Sequence, residues 1–199
     1  MSPDPRTIAL YDAEAAAYAS AFEKDEAHPT LDHFIANLPA NARVLDLGCG
    51  PGRSSAVMAD AGHNPDPMDA APGMVRFAQD TYGLPARVGT FDDIRGVEIY
   101  DAVYANFSLL HAPRVALPRH FADIAAALKP GGLLHVGMKT GTGQARDAKD
   151  RLYTYVTEDE LTDLFEAEGF RVVHKVVGEV KGFSGDVSPW IILQGVKRG

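Results

Sequence analysis

Three glycines stand at alternate positions directly after a short run that is typical of a buried strand. They are Gly48, Gly50 and Gly52 in the stretch VLDLGCGPG, and Asp46 lies within the run that precedes them. Glycine has no Cβ, so the backbone at such positions can come close to a bulky or charged ligand. The stretch therefore predicts a ligand-binding loop that follows the first strand of a sheet.

Two common phosphate-binding patterns do not fit this loop. A P-loop requires Gly-Lys five and six positions after its first glycine, where this chain has Arg53 and Ser54. The dinucleotide fingerprint requires its third glycine three positions after the second, where Arg53 stands again and Gly52 comes one residue early. A bound triphosphate is therefore excluded, and a nicotinamide-dependent oxidoreductase is only a minor alternative.

Polar side chains follow the later strand-like runs. Asp69 ends NPDPMD, Asp92 and Asp93 lie in GTFDDI, and Asn106 ends YDAVYAN. A carboxylate such as Asp69 suits vicinal hydroxyls, because its two oxygens can accept both hydrogen bonds. The alternatives are a turn or helix-capping acid at Asp69 and solvated loop acids at Asp92 and Asp93.

Together these stretches resemble one family. VLDLGCGPG is similar to the first motif of class I S-adenosylmethionine-dependent methyltransferases, and LKPGGLLHVG completes a series of matches that runs from about Arg43 to the C terminus. The resemblance implies an α/β fold, a Rossmann-like doubly wound mixed sheet of seven strands with the last strand antiparallel and helices on both faces. It also implies S-adenosylmethionine as cofactor, S-adenosylhomocysteine as product, and methyl transfer to an O, N or C centre.

The resemblance further assigns expected cofactor contacts. Asp46 would lie near the ammonium, Asp69 would bind the ribose hydroxyls, and Met74 would pack on the adenine. Thr90 stands where the family commonly has an acid next to the adenine amino group, and Asp92 is preferred over Asp93 for that contact. The full expected cofactor-binding set is Tyr18, Asp46, Gly48, Cys49, Gly50, Asp69, Ala70, Met74, Phe91, Asp92, Asn106 and Phe107.

His111, just beyond the fourth strand, is the candidate catalytic residue. Its intrinsic pKa near neutrality suits a general base, while a structural or pocket-lining histidine is the alternative. Tyr11 and Tyr18 lie seven residues apart on one face of the first helix, which in this fold often closes over the cofactor; core packing is the alternative. Cys49 is interpreted as a packing residue. The histidine spacings predict no metal site.

Strand-like and helical runs alternate along the chain, which is typical of parallel βαβ units. Residues 7–22 and 30–38 are predicted as two helices before the first strand, and the segment after the fourth strand as a helix that Lys129, Pro130 and two glycines end. Pro65 and Pro67 predict a second strand that is short and poorly bonded on one side.

The polar segment from Lys139 to Val156 is a candidate lid loop, because loops of that length are usually functional or disordered. Within it or at its ends, five side chains could define the acceptor site: Lys139, Asp147, Arg151, Tyr153 and Tyr155. We expect a single domain over residues 1–199, with a helical cap at 1–40, a sheet core at 41–199 and the lid loop at 139–156.

Composition and charge limit the partners. The chain has 199 residues, 46% of them hydrophobic, and a formal net charge of −8, with its 19 Lys and Arg scattered. A nucleic-acid partner is therefore not expected, and without a run of about 18 apolar residues neither is a membrane span. We expect a cytoplasmic monomer or homodimer that acts on a small molecule. A non-catalytic protein that binds or senses S-adenosylmethionine is the main alternative.

Overall fold

The computed structural model describes residues 4–22, 29–181, 185 and 187–199. A seven-stranded sheet, in the order β3-β2-β1-β4-β5-β9-β8, is its main element, and β6 and β7 form a separate two-stranded sheet. The strands are β1 (Arg43–Leu47), β2 (Asn64–Asp69), β3 (Arg87–Val88), β4 (Tyr100–Asn106), β5 (Leu128–Lys139), β6 (Gln144–Arg146), β7 (Leu152–Thr154), β8 (Phe170–Lys181) and β9 (Val187–Lys197).

Seven α-helices connect or cover these strands in the described residues. They are α1 (Pro5–Ala13), α2 (Ala15–Phe22), α3 (Pro29–Ala36), α4 (Arg53–Asp60), α5 (Pro72–Tyr82), α6 (Leu117–Ala127) and α7 (Glu158–Ala167). Thr157 and Glu160 cap the start of α7 reciprocally, as their spacing predicts: Glu160 N donates to Thr157 Oγ1 and Thr157 N donates to Glu160 Oε2.

Strands β1 to β5 pair in parallel, and β9 runs antiparallel to both of its neighbours, β5 and β8. Consecutive residues of a strand point to opposite faces. Val44 accordingly packs with Phe34 of α3 and Met58 of α4, while Leu45 packs in a second core with Phe121 of α6 and residues of α7. The predicted fold class, with helices on both faces and a reversed last strand, is confirmed.

The two prolines of β2 do not interrupt its pairing with β1. Asn64 N donates to Ala42 O at 2.8 Å, and Met68 O accepts from Gly48 N at 2.8 Å. Alternate residues direct their backbone groups to the same side, so Pro65 and Pro67 face away from β1. On that side β3 pairs only with the last two residues of β2, and the missing N–H groups therefore cost no ladder bond.

Two element boundaries differ from the sequence-based predictions. The single helix predicted over 7–22 is two helices, because Glu14 leaves the helical conformation (φ −107°, ψ 18°), and both α1 and α2 contact α5. The residues expected to end α6 already belong to β5. Gly131, at φ +77°, lies within an irregularity that separates the Tyr100–Leu128 pair from the next β4–β5 pair. An irregular stretch at the start of β5 therefore takes the place of the predicted helix end.

The segment 139–156 also differs from a plain loop. β6 and β7 pair antiparallel within it, from Gln144 with Thr154 to Arg146 with Leu152. The sequence did not predict these strands, because each has only three residues and is too short to show a period-2 pattern. We call residues 144–154 the hairpin below.

β1 and β4 are neighbours at the centre of the sheet, and the chain leaves them in opposite directions along it, towards β2 and β5. In open parallel sheets, a crevice forms at the carboxyl ends of the strands at such a switch point. The glycine loop after β1 and the residues after β4 both lie there. The fold therefore places the chemically distinctive residues of the sequence at this edge.

Candidate active site

The glycine loop is built from left-handed backbone. Gly48 and Gly52 have φ values of +76° and +89°. A Cβ on Gly48 would overlap the Cβ of Ser108 after β4, and one on Gly52 would lie 2.7 Å from the Cβ of Ala78 on α5. Glycine is therefore required at both positions, and the loop runs close against β4 and α5.

Asp69 joins this loop to the start of α5. Its Oδ2 accepts from Gly50 N at 2.9 Å and its Oδ1 accepts from Ala71 N at 2.8 Å. Burial raises the pKa of this carboxyl, and the hydrogen bonds from Ala71 and Gly50 oppose that shift. Backbone N–H groups of Gly50, Ala70 and Ala71 act on a carboxylate that has about four lone pairs, so it can still accept from a ligand's hydroxyl.

A cavity of about 760 Å³, counting the open space at its mouth, lies over the carboxyl ends of these strands. Its walls come from α1, α2, α5 and the ends of β1 to β4. They consist of Asp4, Thr7, Ile8, Tyr11, Tyr18, Leu47, Gly48, Gly50, Asp69, Ala70, Ala71, Met74, Gly89, Thr90, Phe91, Asn106, Phe107, Ser108 and His111.

Most of the sequence-predicted residues meet in this cavity, and three do not reach its wall. Asp46 is buried behind the loop, accepts from Ser55 Oγ at 2.6 Å, and has its pKa raised to about 7, chiefly by burial. Cys49 is also buried, and burial raises the pKa of its thiol. Asp92 points to Arg119, which lowers the pKa of its carboxyl.

His111 lies in the cavity wall, and both of its ring nitrogens form hydrogen bonds. Nδ1 lies 2.7 Å from the carbonyl oxygen of Leu152, which can only accept, so Nδ1 carries the proton. Nε2 then accepts from the hydroxyl of Tyr11 at 2.9 Å. Burial lowers the pKa of His111 to about 4, and the ring is therefore neutral at physiological pH.

The five residues predicted for the acceptor site support the hairpin and α1 and are not part of the cavity wall. Arg151, almost fully buried, forms an ion pair with Asp147 and donates to the hydroxyl of Tyr11 at 2.9 Å. Lys139 Nζ lies 4.1 Å from the centre of the Tyr153 ring, on which Tyr155 stacks. This cation–π contact joins the end of β5 to the hairpin.

Contacts with the hairpin hold α1 over the cavity. Asp4 at its N-cap pairs with Arg146 at 2.7 Å, and Thr7 Oγ1 accepts from Leu152 N at 2.9 Å. Further along, Lys149 pairs with Glu14 at 2.8 Å. Through these contacts the hairpin supports α1, which forms one wall of the site.

Sequence reasoning missed several wall residues. Asp4, Thr7 and Ile8 share with Tyr11 the i, i+3, i+4, i+7 spacing of one helix face, a pattern that could have identified them. Others lie within two residues of predicted residues: Leu47, Ala71, Gly89, Thr90 and Ser108. No local signal marks the hydrogen bond from Tyr11 to His111, because it joins residues that are 100 positions apart.

The described residues contain neither a metal-binding cluster nor a helix that could span a membrane. In the ranges 4–22, 29–181, 185 and 187–199, no group of three or more His, Cys, Asp or Glu side chains is placed to hold a metal ion. None of the helices described has both the length and the apolar character needed to cross a membrane.

Comparison with known proteins identifies the family. The model of a methyltransferase domain matches residues 19–175. A ubiquinone biosynthesis O-methyltransferase from Xanthomonas axonopodis pv. citri is 35% identical over 124 residues, which are 58% of this chain and 51% of the relative. The chain thus aligns with about half the length of the curated relatives it matches.

Solved structures show the same fold at low sequence identity. A SAM-dependent methyltransferase from Methanosarcina mazei matches with a TM-score of 0.74 and 18% identity, over 86% of this chain and 98% of the other. The 1,6-didemethyltoxoflavin-N1-methyltransferase of Burkholderia thailandensis, solved with 1,6-didemethyltoxoflavin and S-adenosylhomocysteine bound, matches with a TM-score of 0.71 and 23% identity, over 100% of this chain and 92% of the other. With the family model matched over most of its length, this chain belongs to the class I S-adenosylmethionine-dependent methyltransferase family.

Proposed function

We propose that this protein transfers the methyl group of S-adenosylmethionine to an O, N or C centre of a small molecule by in-line displacement. The observation that carries the proposal is the cavity itself. One enclosed space contains the glycine loop, the Asp69 carboxylate and the end of β4, and α1 covers it. These are the groups that the family motifs require in one place, and no other described part of the chain collects them.

The order of the strands gives the cofactor a direction in this cavity. Phe91 after β3 and Met74 on α5 offer apolar contacts for an adenine, and Asp69 after β2 offers its carboxylate to the ribose hydroxyls. The methionine portion would then cross Gly48 towards Asn106 at the end of β4. Asp46, behind the loop, would act on the ammonium through the loop or a water molecule.

The chemistry asks little of the protein beyond alignment and exclusion of water. When bound, the cofactor supplies a methyl group on a positively charged sulfur, which is already a good leaving group. The chain must hold the acceptor in line with that methyl group. Tyr11 and Ile8 of α1 and Phe107 after β4 line the part of the cavity where this alignment would occur, and closure by α1 would keep water out.

His111 is proposed first as a positioning group of the wall and only secondarily as a general base. Its Nε2 already accepts from Tyr11, so an acceptor must displace that hydroxyl before its proton can reach the ring. A pKa of about 4 makes the ring a weak base. Acceptors that arrive unprotonated, such as ring nitrogens or phenolates, need no base at this position.

A small-molecule acceptor is supported by enclosure and by charge. Residues of α1 form one wall of the site, and the chain carries a net charge of −8 that disfavours a polyanionic partner. The curated relative named for ubiquinone biosynthesis and the solved structure with bound 1,6-didemethyltoxoflavin support the same class of acceptor.

The test is transfer of a tritiated methyl group from S-adenosylmethionine to a panel of phenols, catechols and nitrogen heteroaromatics. We expect product from at least one class, with loss of most of the rate in Asp69→Ala. Asp80→Ala, which alters an exposed carboxylate on α5, is the matched control. Binding of S-adenosylhomocysteine without turnover of any acceptor would favour the non-catalytic alternative. Hydride exchange with a nicotinamide would overturn both.

A further inference from the structure

A buried chain of hydrogen bonds leads from the cavity wall through the sheet to α3. Asn106 stands in the wall at the end of β4, and its Oδ1 lies 3.1 Å from Nε2 of His135 on β5. Nδ1 of His135 lies 3.1 Å from Nε2 of Gln194 on β9. His135 and Gln194 are register partners and fully buried.

The backbone carbonyl of Thr30 fixes the direction of every bond in this chain. Gln194 Nε2 donates to that carbonyl at 3.0 Å, and a carbonyl can only accept, so the side-chain amide is oriented. Its second N–H then donates to Nδ1 of His135, which must be unprotonated. The amide oxygen, Gln194 Oε1, accepts from Nδ1 of His33 at 2.8 Å, so every polar atom of the side chain has a partner.

His135 passes this orientation to Asn106. Burial lowers the pKa of His135 to about 3, so the ring is neutral and carries its single proton on Nε2. That N–H donates to Asn106, and the accepting atom must be Oδ1. The ring itself is held between neighbours: it stacks on Tyr104 at 4.2 Å and meets the edge of Phe34 at 5.7 Å.

Asn106 therefore presents its NH₂ group, with both hydrogens, to the cavity. Space for the fixed amide is left by Gly137, where a Cβ would lie only 2.8 Å from Asn106 Oδ1. An NH₂ group donates to ligand oxygens and repels ammonium groups. Of the two charged groups on an amino-acid tail, only the carboxylate is a suitable partner.

We propose that His135 and Gln194 are positioning residues that hold the Asn106 amide as a hydrogen-bond donor for the carboxylate of the bound cofactor's amino-acid tail. This inference rests on the proposed function, because the strand order directs that tail across Gly48 to Asn106. It assigns a role to three polar side chains on separate strands, two of which never touch the cavity.

The test compares two ligands that differ only in the tail. S-Adenosylhomocysteine has the amino-acid carboxylate, whereas 5′-methylthioadenosine keeps the adenosine and the sulfur without it. By calorimetry we expect Asn106→Ala to lower the affinity for S-adenosylhomocysteine about tenfold. Asn106→Asp should lower it more, because two negative charges then face each other. The affinity for 5′-methylthioadenosine should change less than about twofold.

The positioning role is tested by His135→Phe, alone and combined with Asn106→Ala. We expect His135→Phe to lower the affinity for S-adenosylhomocysteine and not that for 5′-methylthioadenosine. In the Asn106→Ala background the same change should have no further effect. His135→Gln, whose side chain can both accept and donate, should recover most of the affinity. Should His135→Phe not fold, Gln194→Leu carries the same test.

Three results would overturn the inference. They are equal weakening of both ligands, an unchanged affinity for S-adenosylhomocysteine in the Asn106 variants, and additive effects in the double variant. Wild-type protein that binds neither ligand would instead contradict the proposed function itself, so the two failures can be told apart.

Discussion

The hydroxyl of Tyr11 donates a hydrogen bond to Nε2 of His111 at 2.9 Å and accepts one from Arg151 at the same distance. This single hydroxyl therefore joins the N-terminal helix, the turn after β4 and the hairpin. The direction of the bond to His111 is set by the carbonyl of Leu152, which accepts a hydrogen bond from the protonated Nδ1 of that ring. The covering helix and the candidate base thus belong to one hydrogen-bonded unit.

Replacement of Tyr11 by phenylalanine should destabilise the protein. The change leaves His111 Nε2 and one N–H of Arg151 without this partner in a buried site, and such losses cost about 1–3 kcal/mol. Urea denaturation measures the free energy of unfolding. Tyr82→Phe, at an exposed position of α5, is the control and should change it by less than about 0.5 kcal/mol. Equal stability of Tyr11→Phe and wild type would show that the unit contributes nothing.

The ion pair between Asp4 and Arg146 should slow ligand release. The hydrogen bond from Arg146 lowers the pKa of Asp4 to about 2, and the Asp4 side chain is only 11% exposed. Asp4→Asn should speed dissociation of S-adenosylhomocysteine a few-fold, in line with about 0.2–1 kcal/mol for a partly exposed pair. Stopped-flow measurement at low and high salt checks this.

Salt should accelerate release from the wild type more than from Asp4→Asn. Salt screens the attraction between Asp4 and Arg146, and the variant lacks that attraction. Asp163→Asn, which changes an exposed carboxylate on α7, serves as the control. If Asp4→Asn and Asp163→Asn released the ligand at the same rate, the ion pair between Asp4 and Arg146 would not hold α1 over the cavity.

His135 should make stability fall as the pH drops below about 6.5. Its folded-state pKa of about 3 lies below the unfolded value, so on acidification the unfolded chain binds a proton that the folded chain does not. The free energy of unfolding then falls by up to about 1.4 kcal/mol per pH unit between pH 6.5 and 3. Urea denaturation at pH 7, 6 and 5 should give a shallower dependence for His135→Gln. Parallel pH profiles would contradict this assignment.

The sequence predicted the sheet and the centre of the site because the relevant signals are local. Gly48, Gly50 and Asp69 follow strands directly, and the strand alone determines where they lie. The two prolines of β2 correctly predicted poor bonding on one side of the strand, but β2 is six residues long and not short.

What the sequence did not reveal depends on contacts between distant segments. Asp92 is next to a true wall residue, yet Arg119 draws its carboxylate away from the cavity. The chain from Thr30 through Gln194 and His135 to Asn106 joins four elements, and none of its members carries a local signal. The hairpin at 144–154 was not predicted, because its strands are too short to show an alternation of polar and apolar residues.

The central claim is that the cavity binds S-adenosylmethionine through Asp69. The most direct measurement is calorimetry of S-adenosylhomocysteine with wild type, Asp69→Ala and the control Asp80→Ala, with NAD as a second ligand. We expect micromolar binding to wild type and control, about a hundredfold loss of affinity in Asp69→Ala, and no heat from NAD. Equal affinity of Asp69→Ala and wild type, or no binding of S-adenosylhomocysteine to any of the three proteins, would contradict it.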